Sequence, residues 1–169
     1  NKIIRRHPHV FGDERVVDAR AQTKAWETIK AKERSEPLGS VLEGVPNALP
    51  ALMRGTKLGQ RAARVGFDWP DRKGVREKVD EELRELDEAV RGEDTDAITA
   101  EMGDAFFALV NLCRHLGIEP EACLRGANAR FERRFRSVEK CVEAGGGDWK
   151  NYDLDALEAL WDKAKEETQ

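Results

Sequence analysis

No stretch of this chain approaches the roughly 18 consecutive apolar residues of a membrane-spanning helix, so it is read as soluble. Cysteine is scarce: Cys113, Cys123 and Cys141 are odd in number and show no C-x-x-C spacing. That argues against a disulfide framework or a thiolate zinc site and favours buried free thiols in a reducing cytosol. Alternating apolar and polar runs of the kind a half-buried strand needs are missing. No internal repeat or low-complexity segment is visible. Positive charge does not dominate either: 29 Lys and Arg stand against 33 Asp and Glu, a net charge of −4. This balance argues against holding a nucleic-acid polymer by overall charge and leaves room for a local basic patch around a small anion. No apolar segment follows Arg5 and Arg6, so no signal peptide is read at the start, and the expected location is the cytoplasm. The sequence opens on Asn1 without an initiator Met, as a fragment or a processed form does.

What is present is helix-forming. Charged residues make up 37% and hydrophobic ones 40% of 169 residues, enough for one compact all-α domain with or without a flanking arm. A first helix is expected over 14–33, with Val17, Ala21, Ala25 and Ile29 on its apolar side. Residues 34–47 carry two prolines and two glycines and read as a loop. The expected division is an N-terminal arm, helix and linker over 1–47 and a catalytic domain over 48–169. A second helix is predicted from about Pro50 to Val65, then the turn-rich GFDWPDRKG (66–74). Over about 75–91 a third helix carries Val75, Val79, Leu83, Leu86 and Val90 in one narrow seam, with Gly92 as a left-handed cap. Asp94 or Thr95 caps a fourth helix to Leu116, its seam being Ile98, Met102, Ala105, Leu109, Leu112 and Leu116. Pro120 opens a fifth, with Leu124, Phe131, Phe135, Val138 and Val142 inward; GGG (145–147) breaks it. Asp153 caps a last helix bearing Leu154, Leu157, Trp161 and Ala164.

The third helix is crowded with acid: EKVDEELRELDEAV (77–90) holds seven Asp or Glu. At about 100° per residue, Glu82 falls about 60° and Glu85 about 120° to one side of the apolar seam, with Lys78 between them. Glu81 lies about 40° further round, while Asp80, Asp87 and Glu88 point to solvent. The fourth helix repeats the arrangement, with Glu101 and Asp104 bordering its seam inside the apolar ITAEMGDAFFALV. An ionised carboxylate beside a packed seam is costly unless paired or bound to metal. Gly103 between the two weakens the helix and fits close approach by another backbone or a ligand. In an antiparallel helix hairpin the four carboxylates converge, and an all-oxygen set suits Mg²⁺ or Mn²⁺. Intrahelical ion pairs, Lys78 with Glu82 foremost, are the simpler account of the same residues. Arg130 and Arg134 border the seam of the fifth helix and could answer an anion.

EELRE (81–85) followed by EMGD (101–104) resembles the E-E-x-x-E…E-x-x-D motif of the all-α nucleoside triphosphate pyrophosphohydrolases. RRHPHVFGD (5–13), VPNALPALMR (45–54), RAARVGFDW (61–69), FALVNLCRHLGI (107–118) and NARFERRF (128–135) resemble the MazG proteins in particular. The resemblance spans essentially the whole chain in unbroken order. It implies a helical bundle completed by homodimerisation and Mg²⁺-dependent hydrolysis of nucleoside triphosphates to monophosphate and pyrophosphate. It also implies Glu82, Glu85, Glu101 and Asp104 as metal ligands, with Glu81 or Glu82 orienting the attacking water. Lys78, Glu81, Arg130, Arg134, Trp161 and Lys165 match positions along the nucleotide; a core position is the alternative for Trp161. Members usually carry Lys where this chain has Arg130, and a lysine often precedes the second acidic pair where this chain reads AITA (97–100). Full-length MazG proteins hold two copies of the motif. This chain holds one, and its first dozen residues resemble the tail of a preceding copy, so it reads as the second, catalytic half.

Other functions fit the residues less well. A non-catalytic helical module that senses metal–nucleotide remains an alternative. A di-metal oxidase would favour E-x-x-H, and neither Glu-bearing helix has a His three residues after its Glu. His115 is read as structural, and His7 and His9 receive no role. The arginines at 125, 130, 133, 134 and 136 spread around their helix, unlike a nucleic-acid-binding face.

Overall fold

The structure is a computed structural model in which residues 39–167 are described. The expected helix over 14–33, with His7 and His9, lies outside the described residues. Five α-helices follow one another within the unit Gly44–Gln169: α1 (Ala51–Ala63), α2 (Arg72–Arg91), α3 (Thr95–Leu116), α4 (Pro120–Ala144) and α5 (Leu154–Glu167). A single 3₁₀ turn, Trp149–Asn151, precedes α5. The described residues contain no strand, and no described helix is long and apolar enough to cross a membrane.

Local chemistry sets the helix ends. Asp71 accepts the amides of Lys73 and Gly74 at 2.9 and 3.2 Å, so α2 begins at Arg72, three residues before its apolar seam starts. Such a cap is worth about 1 kcal/mol and outweighs the lack of apolar residues in that turn. Asp94 caps α3, Glu119 caps α4 with Pro120 in its first turn, and Asp153 accepts the amide of Ala156 in α5. The left-handed ending expected at Gly92 does not occur. Gly92 stays right-handed at φ −80°, and the turn into α3 is made by Glu93 at φ 53°. Gly117 does end α3 in the left-handed region, at φ 73°, where a glycine is least strained.

α2 and α3, joined by only three residues, pack on one another more extensively than any other pair. α1 lies on the other side of α3, and Gly55 makes that approach possible: a Cβ there would stand 3.3 Å from Val110 and 3.6 Å from Phe107. Val75 and Val79 of α2 and Ala105, Ala108 and Val110 of α3 are buried. α4 and α5 form a second core from Val138, Val142 and Ala164, with Tyr152, Leu157, Leu160 and Trp161 packed around it.

Several expected core residues are outside. Leu83 and Val90 of α2, Met102, Leu109 and Leu116 of α3, Leu124, Phe131 and Phe135 of α4, and Leu154 are exposed. The reason is clearest on α3, which is apolar on most of its circumference. Its buried stripe is turned toward the acid-bearing side, because that side lies against α2. At Gly103 no other described helix makes the close approach: among the described residues nothing lies within 4 Å of its Cβ position, which is open space. The cysteines are free, but Cys123 is exposed and the other two are half-buried.

One polar cluster ties the far end of the α2–α3 pair. Asp68, three residues before the α2 cap, accepts Arg114 Nη1 at 2.8 Å and Nη2 at 2.5 Å, and His115 Nε2 lies 2.9 Å away. Arg114 Nε donates to the buried Asn111 at 2.7 Å. The Arg114 hydrogen bond, against partial burial and with help from His115, brings the Asp68 carboxyl down to about 2 from an ordinary 3.8. A lowered folded-state value means stability that is complete above pH 3.8 and lost as pH falls through about 2. Asp68→Asn is therefore expected to cost on the order of 1–2 kcal/mol at pH 7, discounted for solvent screening, and nothing below pH 2. Chemical denaturation of both proteins across this range checks it.

Candidate metal centre

Lys78, Glu81, Glu82 and Glu85 are spaced so that one side of α2 carries all four. Lys78 Nζ donates to Glu82 at 2.8 Å and Glu81 at 3.0 Å. These hydrogen bonds, that to Glu82 first, push the lysine well above its usual value, so it stays charged. Glu82 is 6% exposed and, with Asn111, is one of two buried polar side chains among the described residues. Its helix turns it inward beside Val75 and Val79, where Lys78 answers its charge.

Across from it stands Glu101, early in α3. Oxygens of Glu82, Glu85 and Glu101 all lie within 4.8 Å of one another. Desolvation first, then repulsion from Glu85, Asp104 and Glu82, raises the Glu101 carboxyl above its ordinary range, and Lys78 opposes the rise. Three like charges are thus held together by packing, with Lys78 for partial relief.

Asp104 acts on Glu101 through its charge but is exposed and stands outside the three-oxygen group. Glu81 is half-exposed and bonded to Lys78. The remaining sequence candidates sit on α4 and α5, which pack chiefly on each other, α4 also touching α1 and α3. Arg130 is exposed and Arg134 half-buried. Trp161 is part of the α4–α5 core, its ring 5.2 Å from Phe131, and Lys165 pairs with Asp162. The structure therefore gathers Lys78, Glu81, Glu82, Glu85 and Glu101 and leaves Arg130, Arg134, Trp161 and Lys165 on a separate helix pair. Sequence reasoning did not see Asp68, Arg114 and Asn111 as a unit. The partners lie 46 residues apart, and no periodicity connects them.

The donor set is entirely carboxylate oxygen, without ring nitrogen or thiolate, and so fits a hard divalent cation. Glu82, Glu85 and Glu101 could hold such an ion, with Asp104 near enough to add its charge.

Residues 62–131 match the phosphoribosyl-ATP pyrophosphohydrolase family model. The chain is 44% identical over 168 residues to a nucleoside triphosphate pyrophosphohydrolase of Escherichia coli (strain K12), covering 98% of this chain and 64% of that protein. It is 40% identical over 164 residues to the nucleoside triphosphate pyrophosphohydrolase/pyrophosphatase MazG of Thermotoga maritima, covering 97% of this chain and 62% of that one. The chain thus spans a little under two thirds of the length of these relatives.

A raised folded-state value at Glu101 means stability that is present below its ordinary pKa and lost as pH rises through the folded value. Glu101→Gln is therefore expected to raise the melting temperature of the metal-free protein at pH 7 and to leave it unchanged near pH 4. Calorimetric melts at the two pH values, with a chelator present, test this; a lower melting temperature at pH 7 would contradict it.

Proposed function

We propose, for a chain that belongs by sequence to the MazG-type nucleoside triphosphate pyrophosphohydrolases, that α2 and α3 form an antiparallel hairpin whose acids bind Mg²⁺ and cleave nucleoside triphosphates to monophosphate and pyrophosphate. The observation that carries this is the crowding of Glu82, Glu85 and Glu101 from two helices, with Glu82 nearly shut off from solvent. The pyrophosphohydrolase names of the relatives supply the reaction class.

Charge sets the terms of the chemistry. A triphosphate brings about four negative charges to a site that already holds four carboxylates, so cations must enter with it. Glu82, Glu85, Glu101 and Asp104 would hold Mg²⁺, with Mn²⁺ as a chemical substitute. When bound, the ion supplies charge neutralisation and Lewis acidity toward the α-phosphate. Glu81, or Glu82 itself, orients a water in line with the bond to be broken and takes its proton. The water oxygen bonds to the α-phosphorus, the bond to the bridging oxygen breaks, and pyrophosphate leaves with the electron pair. Lys78 lies one turn before the acids and can turn from them to the incoming phosphates. Arg130, Arg134 and Lys165 are the further phosphate-binding cations of the proposal, and Trp161 offers its exposed edge to the base.

The same helix pair leaves Leu83, Val90, Met102, Phe106 and Leu109 exposed, Phe106 at 56%. An apolar face of this kind on the helices that bear the site supports a homodimer built along them. Residues 48–169 are then the catalytic domain.

Two measurements bear on this reading. Glu82→Gln, Glu85→Gln and Asp104→Asn should each lower pyrophosphate release by about 10²-fold or more while far-UV circular dichroism is unchanged. Near-normal turnover in all three would sink the metal assignment, and orthophosphate with nucleoside diphosphate as products would refute the reaction class. Phe106→Glu is expected to move the protein from dimer to monomer in light scattering; an unsubstituted protein that is already monomeric overturns the dimer.

A further inference from the structure

We infer that Asp68, Arg114 and His115 form a register clamp for the metal centre, making Asp68 and Arg114 positioning residues for the carboxylates of α2 and α3. This rests on the metal-site reading above and adds residues that touch neither metal nor substrate in it.

The donors come from two helices, so their spacing depends on how far one helix has slid along the other. Glu82 and Glu85 move with α2, Glu101 with α3. One helical turn is about 5.4 Å of travel, and Mg²⁺ tolerates oxygen ligands only at about 2.0–2.1 Å. A slip well short of one turn would therefore take Glu101 out of the group whose oxygens now lie within 4.8 Å.

At one end the pair is held covalently, by Gly92–Asp94. That connection is a turn between two caps and by itself leaves the opposite ends free to splay. The opposite end is where the clamp sits. Asp68 leads into the Asp71 cap of α2, while Arg114 and His115 occupy the last turn of α3. Arg114 engages both Asp68 oxygens, a forked arrangement that fixes direction as well as distance. His115 shares one of them. The guanidinium cannot follow Asp68 by swinging, because Nε is held by buried Asn111. Gly59 of α1 closes the same spot, its Cβ position standing 3.2 Å from Asn111 Oδ1 and 3.3 Å from Arg114 Nε. Side-chain exposures of 14% for Arg114, 12% for His115 and 23% for Asp68 place the cluster in the packed part of the molecule.

The test uses the full chain and Mn²⁺ as probe. Calorimetric affinity and interhelix nuclear Overhauser contacts in the metal-free state are compared for the unsubstituted protein, Asp68→Asn, Arg114→Lys, Glu101→Gln and Asp68→Asn combined with Glu101→Gln. Asp68→Asn is expected to lose roughly tenfold or more in Mn²⁺ affinity at unchanged helix content, as partners behind metal ligands do. Arg114→Lys, which keeps the charge but not the fork, should fall between. With Glu101 already neutralised, Asp68→Asn should cost markedly less than it does in the unsubstituted protein, because only Asp104 is left across the helix pair to misplace. A merely structural role would lower the melting temperature without this loss of additivity. Affinity within twofold of the unsubstituted protein for Asp68→Asn, with the same interhelix contacts, overturns the clamp. If the unsubstituted protein takes up no Mn²⁺, the metal-site reading fails and the contacts alone decide: shifted contacts in Asp68→Asn uphold the register role, identical ones remove it.

Discussion

Three carboxylates held within 4.8 Å of one another are the constraint around which this protein is arranged. Left to themselves the charges would separate, and the exposed acids of α2 show how easily they could, by turning to water. Glu82 has no such freedom because its neighbours on the helix are the buried Val75 and Val79. Packing of α2 on α3 brings Glu101 to it, and desolvation first, then repulsion from its acidic neighbours, raises the Glu101 carboxyl. Lys78 moderates the repulsion without ending it. A fold that accepts such a cost retains a region of strong negative potential ready for a small, highly charged cation.

Much of this was legible in the sequence, for a definable reason. Helical period alone separates Glu82 and Glu85 from Asp80, Asp87 and Glu88, and it assigns Glu101 to the matching helix. The caps at Asp94 and Asp153 were also readable, since a capping side chain acts within three residues of itself, as was Pro120 in the first turn of α4. Harder was the choice of face on α3. With Ala105, Phe106, Phe107, Ala108, Leu109 and Val110 in succession, almost any direction looks apolar, and which one is buried depends on neighbours that periodicity does not name. The same ambiguity placed Phe131 and Phe135 inward, whereas they stack on each other at the margin of the smaller core, Phe135 stacking on Trp149 and Phe131 meeting Trp161 at a tilt. Asp104 stands apart from the three glutamates because it lies one turn further along α3 from Glu101.

The two cores divide the work. The α1–α2–α3 core is built on close approach, with Gly55 and Gly59 letting α1 lie low against α3 and Asn111 buried between them. The α4–α5 core is aromatic and looser, with several rings half in solvent. The acidic candidates and Lys78 belong to the first, and Arg130, Arg134 and Lys165 to the second. The clustered glutamates and the two arginines are thus carried on different helix pairs, α2–α3 and α4–α5.

The brevity of the Gly92–Asp94 connection bears on how the molecule assembles. All three clustered acids fall between residues 82 and 101, so the ends of the intervening segment meet at small cost in chain entropy. Contacts so local form early in folding, ahead of those that await α4 and α5. The charge-crowded pocket would then arise on a nascent two-helix unit, and an ion captured there would favour the native pairing before the rest of the chain has closed around it.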